Sequence, residues 1–167
     1  MKTVNTIALL ILTFSLSAQT SEDVLSTWDK HVEMNHLILN FLPESTLLDI
    51  NDSTSRNVGE QFAHMHNVRM MWLGKSELAK GMDQEIDAAE SREKAYLISQ
   101  LRASDALIRK SLEESLKKNQ MEIEMTPIRF MGYLISHESH TRGQIVLALK
   151  NSGHQLPPNI AFGIWGW

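Results

Sequence analysis

The sequence of 167 residues is 43% hydrophobic and 22% charged, which is enough apolar content to close one sizeable core and predicts a single domain. Its formal net charge of -4 carries no large basic excess, so neither nucleic acid nor an anionic membrane is expected as a partner. Because the chain contains no cysteine, disulfides, thiolate metal sites and a cysteine nucleophile are excluded, and any metal must use His, Asp or Glu.

The first residues follow the order of a secretory signal peptide. Lys2 precedes an uncharged, mostly apolar stretch from Thr6 to Leu16 that is too short to span a bilayer comfortably. We therefore predict a signal peptide over residues 1–18 and an exported or periplasmic protein. Lys2 is the only positive charge there, and Leu16 stands where the cleavage rule prefers a small residue, so a cytoplasmic protein with an extra helix is the alternative.

Two helices are predicted in the first half of the remaining chain. Apolar residues recur at three- and four-residue steps from a start near Thr20 up to Pro43, which predicts the first helix. The polar stretch NDSTSRN, residues 51–57, offers several caps for a second helix that ends at Gly74.

The second half of the chain predicts a long crossover and two further helices. Residues 75–90 have weak periodicity, and a third apolar stripe begins at about Ser91. Thr126 as the cap and Pro127 in the first turn start a fourth helix that runs to residues 151–153.

These elements predict an all-α fold, a four-helix bundle with a long crossover between helices two and three, because each apolar stripe must be buried against its neighbours. The short alternation MEIEM, residues 121–125, is the only strand signal. The tail from His154 to Trp167 contains two prolines, two glycines and two tryptophans, and we expect an irregular segment lying across the bundle.

Histidines are concentrated on two of these helices. On the fourth helix, His137, His140, Thr141 and Gln144 are three or four positions apart and therefore share one face. Imidazoles one helical turn apart can bind the same transition metal ion, because the helix orders them in advance.

The second helix offers the remaining ligand. His64 lies beside the apolar stripe and can face the bundle interior, whereas His66 lies further from the stripe and is the second choice. A lone histidine on an apolar face is most often a hydrogen-bonded core residue, but two such helices facing one core favour a metal site.

Three segments carry a resemblance to a known family. The segments VGEQFAHMHNVRMMWL, ISHESHTRGQIVLALKNSGHQLPP and AFGIWGW resemble the DinB-like family of metal-binding four-helix bundles. The likeness covers essentially everything after the signal and implies a DinB-like four-helix-bundle domain over residues 20–167.

The resemblance also implies a ligand set. Family members typically hold a divalent metal by one histidine of helix two and two of helix four, which correspond here to His64, His137 and a third residue. The family usually has histidine directly before Arg-Gly-Gln, where this chain has Thr141. We expect His140 as the third metal ligand, with a weaker site completed by Thr141 and water, or a lost site, as the alternatives.

The implied function is a metal-dependent transferase of the thiol S-transferase type, or a hydrolase, acting on a small electrophile with zinc, nickel or manganese. The partner would be a small-molecule substrate, with a low-molecular-weight thiol from outside as candidate cosubstrate, no nucleic acid and no membrane after signal cleavage. A homodimer is the candidate assembly. The alternative is a non-catalytic exported binding module with a degenerate metal site.

Several polar residues near these histidines have two readings each. Glu138 and Gln144 are the catalytic candidates, although a solvated surface position is favoured for Glu138 and a polar helix boundary is the alternative for Gln144. Arg142 and Gly143 are expected to serve helix packing and an ion pair. For His31 and Asn35 we expect a buried position with satisfied hydrogen bonds, or a contact with the pocket. His36 and His154 are expected at the surface. Glu60 is expected either to orient His64 or to interact with the helix dipole.

Overall fold

The computed structural model describes residues 21–74, 76–83, 85–118, 121 and 123–167 in full, and residues 2–20 only as backbone within a helix. The predicted signal peptide and the predicted helix start near Thr20 therefore lie outside the fully described residues. Four longer helices, one short helix and three 3-10 turns make up the described chain, which contains no strand. The helices are α1 (Lys2–Phe41), α2 (Val58–Leu73), α3 (Lys94–Lys118), α4 (Pro127–Asn151) and α5 (Pro158–Gly163).

The predicted all-α four-helix architecture is confirmed. α1 ends at Phe41, two residues before Pro43, because the residue preceding a proline is biased away from helical geometry. α2 ends at Leu73 and is followed by Gly74, as predicted. No helix in the described chain combines the length and the apolar content that a membrane crossing requires.

Helix caps explain where α2 and α4 begin. The Asn57 side chain accepts a hydrogen bond from the Glu60 backbone N–H at 2.8 Å, and the Glu60 carboxylate accepts one from the Asn57 N–H at 2.9 Å. This reciprocal pair satisfies two donors that a helix start leaves free. Thr126 caps α4 and Pro127 occupies its first turn, as predicted. Glu60 therefore serves the cap and does not orient His64.

The connections differ from the prediction in three places. α3 begins at Lys94 and not at Ser91, because Glu90–Arg92 form a separate 3-10 turn. In the MEIEM segment, residues 123–125 form bends and Met121 has no regular structure, so the strand signal was wrong for the described residues. The C-terminal tail is not wholly irregular, since it contains α5, which buries Ile160 while Leu156 is buried just before it.

The hydrophobic core consists of two clusters with a polar layer between them. On every long helix the residues of one cluster are followed by buried polar residues and then by residues of the other cluster. On α1, for example, Trp28 belongs to one cluster, His31 and Asn35 are buried polar residues, and Ile38 belongs to the other. The polar layer is therefore at mid-height of the bundle, and its members are His31, Asn35, Arg69, Ser104, Glu138, Thr141 and Arg142.

Candidate metal centre

His64 of α2 and His137 of α4 meet between their helices. Their Nε2 atoms are 3.2 Å apart, and their rings have centroids 5.0 Å apart in an edge-to-face arrangement. Both side chains are half-buried. The convergence of one histidine from each of these helices is the geometry that a shared metal ion requires.

Aromatic rings hold His137 from the neighbouring turn. The Tyr133 ring stacks on His137 with a centroid distance of 6.0 Å, and Trp72 packs against Tyr133 at 5.6 Å in an edge arrangement. Because Tyr133 is four residues before His137 on α4, the stacking follows from helical spacing. These contacts restrict the rotation of the His137 ring.

Both imidazoles of the pair are biased toward the neutral form. Burial, reinforced by the positive charge of Arg56 and by His137, lowers the pKa of His64 from 6.5 to about 4. Burial also lowers the pKa of His137, with His140 and Arg56 acting in the same direction and Glu138 opposing them. At neutral pH both side chains therefore carry the lone pairs that bind a metal.

The pair fits two ligand positions of a divalent metal ion. Two nitrogens about 2.0–2.1 Å from one zinc ion in tetrahedral geometry are about 3.3–3.4 Å apart, close to the separation of these Nε2 atoms. The Nδ1 atom of His137 is buried without a hydrogen-bond partner, and the two Nε2 atoms share one hydrogen bond, in which one ring donates and the other accepts. Among the described residues, no group of three His, Asp or Glu side chains is arranged to hold a metal ion.

Within the described residues, neither candidate for the third metal ligand is grouped with His64 and His137. Thr141 is buried, and its hydroxyl donates a hydrogen bond to the His137 carbonyl oxygen at 3.0 Å, so it is engaged with its own helix. His140 is exposed, and among the described residues it does not form a metal-binding group with His64 and His137. The reason is helical geometry, because His140 is one residue short of the position that points the same way as His137 one turn later.

A cavity of about 520 Å³ adjoins His64. It is lined by residues of the loop before α2, by α2 itself and by the crossover, among them Arg56, Glu60, Asn67 and Asp87. His64 thus borders a space large enough for a small molecule, although His137 is not among the lining residues.

Glu138 was predicted to be a solvated surface residue, and this is wrong. Its carboxylate is fully buried and accepts hydrogen bonds from Arg69 Nε and Nη2, both at 2.8 Å, from His31 Nε2 at 2.9 Å and from Asn35 Nδ2 at 2.7 Å. Burial alone would raise the pKa of Glu138, but the charge of Arg69 and these hydrogen bonds hold it well below its usual range. Glu138 is therefore a structural anion whose hydrogen-bond partners are Arg69, His31 and Asn35.

The network around Glu138 spans all four long helices. Arg69 Nη1 lies 2.7 Å from Asp105 Oδ1 of α3. Burial alone would lower the pKa of Arg69, but the negative charges of Asp105 and Glu138 raise it by more. Asp105 also accepts a hydrogen bond from His36 at 2.6 Å, so His36 is not the surface residue expected. Arg142 donates to Asn35 Oδ1 at 2.7 Å, which confirms a buried, satisfied Asn35.

Sequence reasoning missed Arg69 as a member of this network. A usable signal existed, because Arg69 follows Phe62 and Met65 at the spacing of the apolar stripe of α2, and a charge on that stripe must find a buried partner. Glu138 occupies the corresponding place between Leu134 and Ile145 on α4.

Other candidate residues lie elsewhere. His66 is buried between the carbonyl oxygens of Gln100 and Asp83, at 3.2 and 3.0 Å, and is not part of the pair. His154 is largely exposed, as expected, and pairs with Asp49.

A side chain added at Gly143 would enter open space, so the predicted close helix packing there is wrong. Gln144 is exposed and lines a different cavity from His64.

The family assignment rests on the sequence and agrees with this geometry. Residues 16–162 match the model of the DinB family, which is most of the chain. The chain therefore belongs to the DinB family. Comparisons with curated proteins and with solved structures returned no match.

Proposed function

We propose that this DinB-family protein binds one divalent metal ion on His64 and His137 and uses it on a small electrophilic substrate, as a hydrolase or as a transferase with an external thiol. The observation that carries the proposal is the convergence of the two Nε2 atoms, 3.2 Å apart, beside an open cavity. The chain also belongs to the DinB family, and the resemblance to that family implies a metal site, which supports the proposal.

The protein side chains would divide the work as follows. His64 and His137, neutral at pH 7, would hold the ion by their Nε2 atoms, and Tyr133 would keep the His137 ring in place. The guanidinium of Arg56, at the rim of the cavity, would attract a negatively charged group of the substrate. When bound, the ion would polarise a substrate carbonyl and lower the pKa of a coordinated water or thiol.

The chain supplies no thiol of its own, because it contains no cysteine. We also propose that it is exported, as the N-terminal sequence suggests, and low-molecular-weight thiols belong chiefly to the cytoplasm, which favours hydrolysis. Assays of metal-loaded protein with an activated ester, and with an alkyl halide plus a small thiol, distinguish the two reactions. Mass spectrometry of the mature N-terminus tests the export.

A second candidate function is a binding module without catalysis. The observation that favours it is the third position, where the hydroxyl of Thr141 is engaged by the His137 carbonyl and His140 is exposed. Two imidazoles alone hold a metal weakly, so this alternative predicts metal-free protein at physiological metal concentrations.

Metal titration of the chelator-treated protein by calorimetry tests the metal proposal. We expect one zinc ion per chain, with binding weakened at least about tenfold in His64→Ala and in His137→Ala and unchanged in His140→Ala, the exposed control. Thr141→His, which restores the usual family residue, should bind zinc more tightly than the wild type. Absence of zinc binding by folded wild-type protein, or equal binding by all four variants, would refute the metal site and favour the binding module.

A further inference from the structure

A second cavity, of about 540 Å³, lies beside the histidine pair but does not include it. It is bounded by the loop 51–56, by Gln61 of α2 and by Gln144 and Leu147 of α4. Thr54, Ser55 and Arg56 line both this cavity and the one that adjoins His64, so the two spaces are neighbours.

Gln61 is the unusual member of this cavity. Only 4% of the residue is exposed, yet its Oε1 atom has no hydrogen-bond partner. A buried carbonyl oxygen without a donor destabilises the fold, so buried polar atoms without partners are rare unless a ligand or water completes them. Because Gln61 lines the cavity, a bound group that donates a hydrogen bond would complete this atom.

The loop on the other side of the cavity holds its polar groups differently. Asn51, Thr54 and Ser55 all donate hydrogen bonds to the carboxylate of Asp52, at 2.6 to 2.9 Å, so that this carboxylate is already fully engaged. Arg56 is exposed and, within the described chain, has neither an ion pair nor a side-chain hydrogen bond. The cavity thus offers one uncommitted guanidinium.

Gln144 completes the set from α4. It has no side-chain partner among the described residues, and its amide can both donate and accept hydrogen bonds. The uncommitted polar groups of the cavity are therefore one cation and two carboxamides, and no carboxylate is among the lining residues.

We propose that this cavity binds a small carboxylate that carries a hydroxyl or amino group beside the acid. The carboxylate would pair with Arg56, whose planar guanidinium matches a carboxylate in a two-point contact. The adjacent hydroxyl or amino group would donate to Gln61 Oε1, and Gln144 would bind the remaining polar atoms. A single negative charge suits the site better than a phosphate dianion, because the charge of Asp52 lies in the same loop as that of Arg56.

The site does not require the metal, because neither His64 nor His137 lines the cavity, although Arg56 borders both this cavity and the one beside His64. Gln61 is nevertheless one helical turn before His64 on α2, so a ligand held at Gln61 would extend toward the histidine pair. If both proposals are correct, the electrophilic substrate is itself a carboxylate.

Nuclear magnetic resonance titration of chelator-treated protein tests the proposal with four probes, namely 2-hydroxyhexanoate, hexanoate, 1,2-hexanediol and inorganic phosphate. We expect saturable shifts of the Gln61 side-chain amide with 2-hydroxyhexanoate at millimolar concentration, weaker binding of hexanoate, and none of the diol. The amide of Gln100, which donates to Asp83, serves as the internal control. No saturable shift with 2-hydroxyhexanoate, or tighter binding of phosphate, would overturn the proposal.

Matched variants locate the binding. Arg56→Gln should weaken the binding of 2-hydroxyhexanoate by about tenfold or more. Arg129→Gln, which changes an exposed arginine at the start of α4, should leave this binding unchanged. Gln61→Met should abolish the preference for 2-hydroxyhexanoate over hexanoate. His64→Ala should retain binding, which separates this site from the metal site. Equal binding by Arg56→Gln and wild type would reject the assignment even if Gln61→Met failed to fold.

Discussion

The carboxylate of Glu138 is enclosed by four hydrogen bonds from three residues and carries the central negative charge of the polar layer. Arg69 is equally buried, so neither charge can be solvated by water if its partner is lost. Such a pair adds little to stability compared with a well-packed apolar pair, but breaking it leaves an isolated buried charge.

Glu138→Gln should therefore lower the free energy of unfolding by about 3–5 kcal/mol at pH 7, measured by urea denaturation. Glu33→Gln, which alters an exposed ion pair with Lys30, should change it by less than about 0.5 kcal/mol. Because the folded-state pKa of Glu138 lies below its unfolded value of 4.5, its contribution is present above pH 4.5 and declines as the pH falls further. Equal stability of the two variants would contradict the assigned role.

His64 predicts a second pH dependence, which comes from a basic group. Its pKa of about 4 in the folded state is below the ordinary value of 6.5, so the unfolded chain binds more protons between these values. The metal-free protein should lose stability as the pH falls from 6.5 toward 4, and His64→Ala should reduce the slope. The measurement is the melting temperature across this range, and an unchanged slope would contradict burial as the cause.

At the scale of elements, the start of α2 packs closely against the 3-10 turn Glu90–Arg92. A Cβ added at Gly59 would collide with the Ser91 carbonyl oxygen, which belongs to the backbone and cannot turn away. Glycine therefore sets the approach of these two elements, which in turn fixes the crossover beside the His64 cavity.

Gly59→Ala should destabilise the protein by about 1–3 kcal/mol in denaturant unfolding, because the backbone must shift to admit the methyl group. Gly132→Ala, in α4, meets no atom within 4 Å and should instead stabilise by about 0.5–1 kcal/mol through helix propensity. A neutral effect at Gly59 would show that the two elements separate readily.

Between elements, local signals predicted most boundaries. The prolines at 43 and 127, the cap at Thr126 and the glycine at 74 act on neighbouring backbone, so the ends of α1 and α2 and the start of α4 could be predicted from sequence. The turn at Glu90–Arg92 was not predicted, although it too has local hydrogen bonds, since the Asp87 carboxylate accepts from the backbone N–H groups of Ala89 and Glu90 and the Glu90 carboxylate accepts from the Asp87 N–H.

At the scale of the whole molecule, the C-terminal segment closes one cluster of the core. Leu156 and Ile160 pack into the cluster that also contains Ile38, Phe62 and Leu149. The bundle therefore depends on residues beyond its four long helices.

Leu156→Ala should lower the free energy of unfolding by about 2–5 kcal/mol, since it deletes buried apolar volume. Leu147→Ala removes the same atoms from a side chain that is 46% exposed and should cost much less. Urea denaturation of both variants compares them directly, and similar losses would mean that the C-terminal segment does not close the core.

The all-α class and the principal helices could be predicted from the amino-acid sequence, because periodicity and capping are local. The convergence of His64 and His137 was also predicted, since each histidine lies beside an apolar stripe. The burial of Glu138, whose partners are 69 to 107 residues away along the chain, and the exposure of His140 became clear only from the folded arrangement of the helices. A buried charge is stable only beside an opposite charge that the folded helices bring close to it. The spacing of residues on one helix gives no information about that partner.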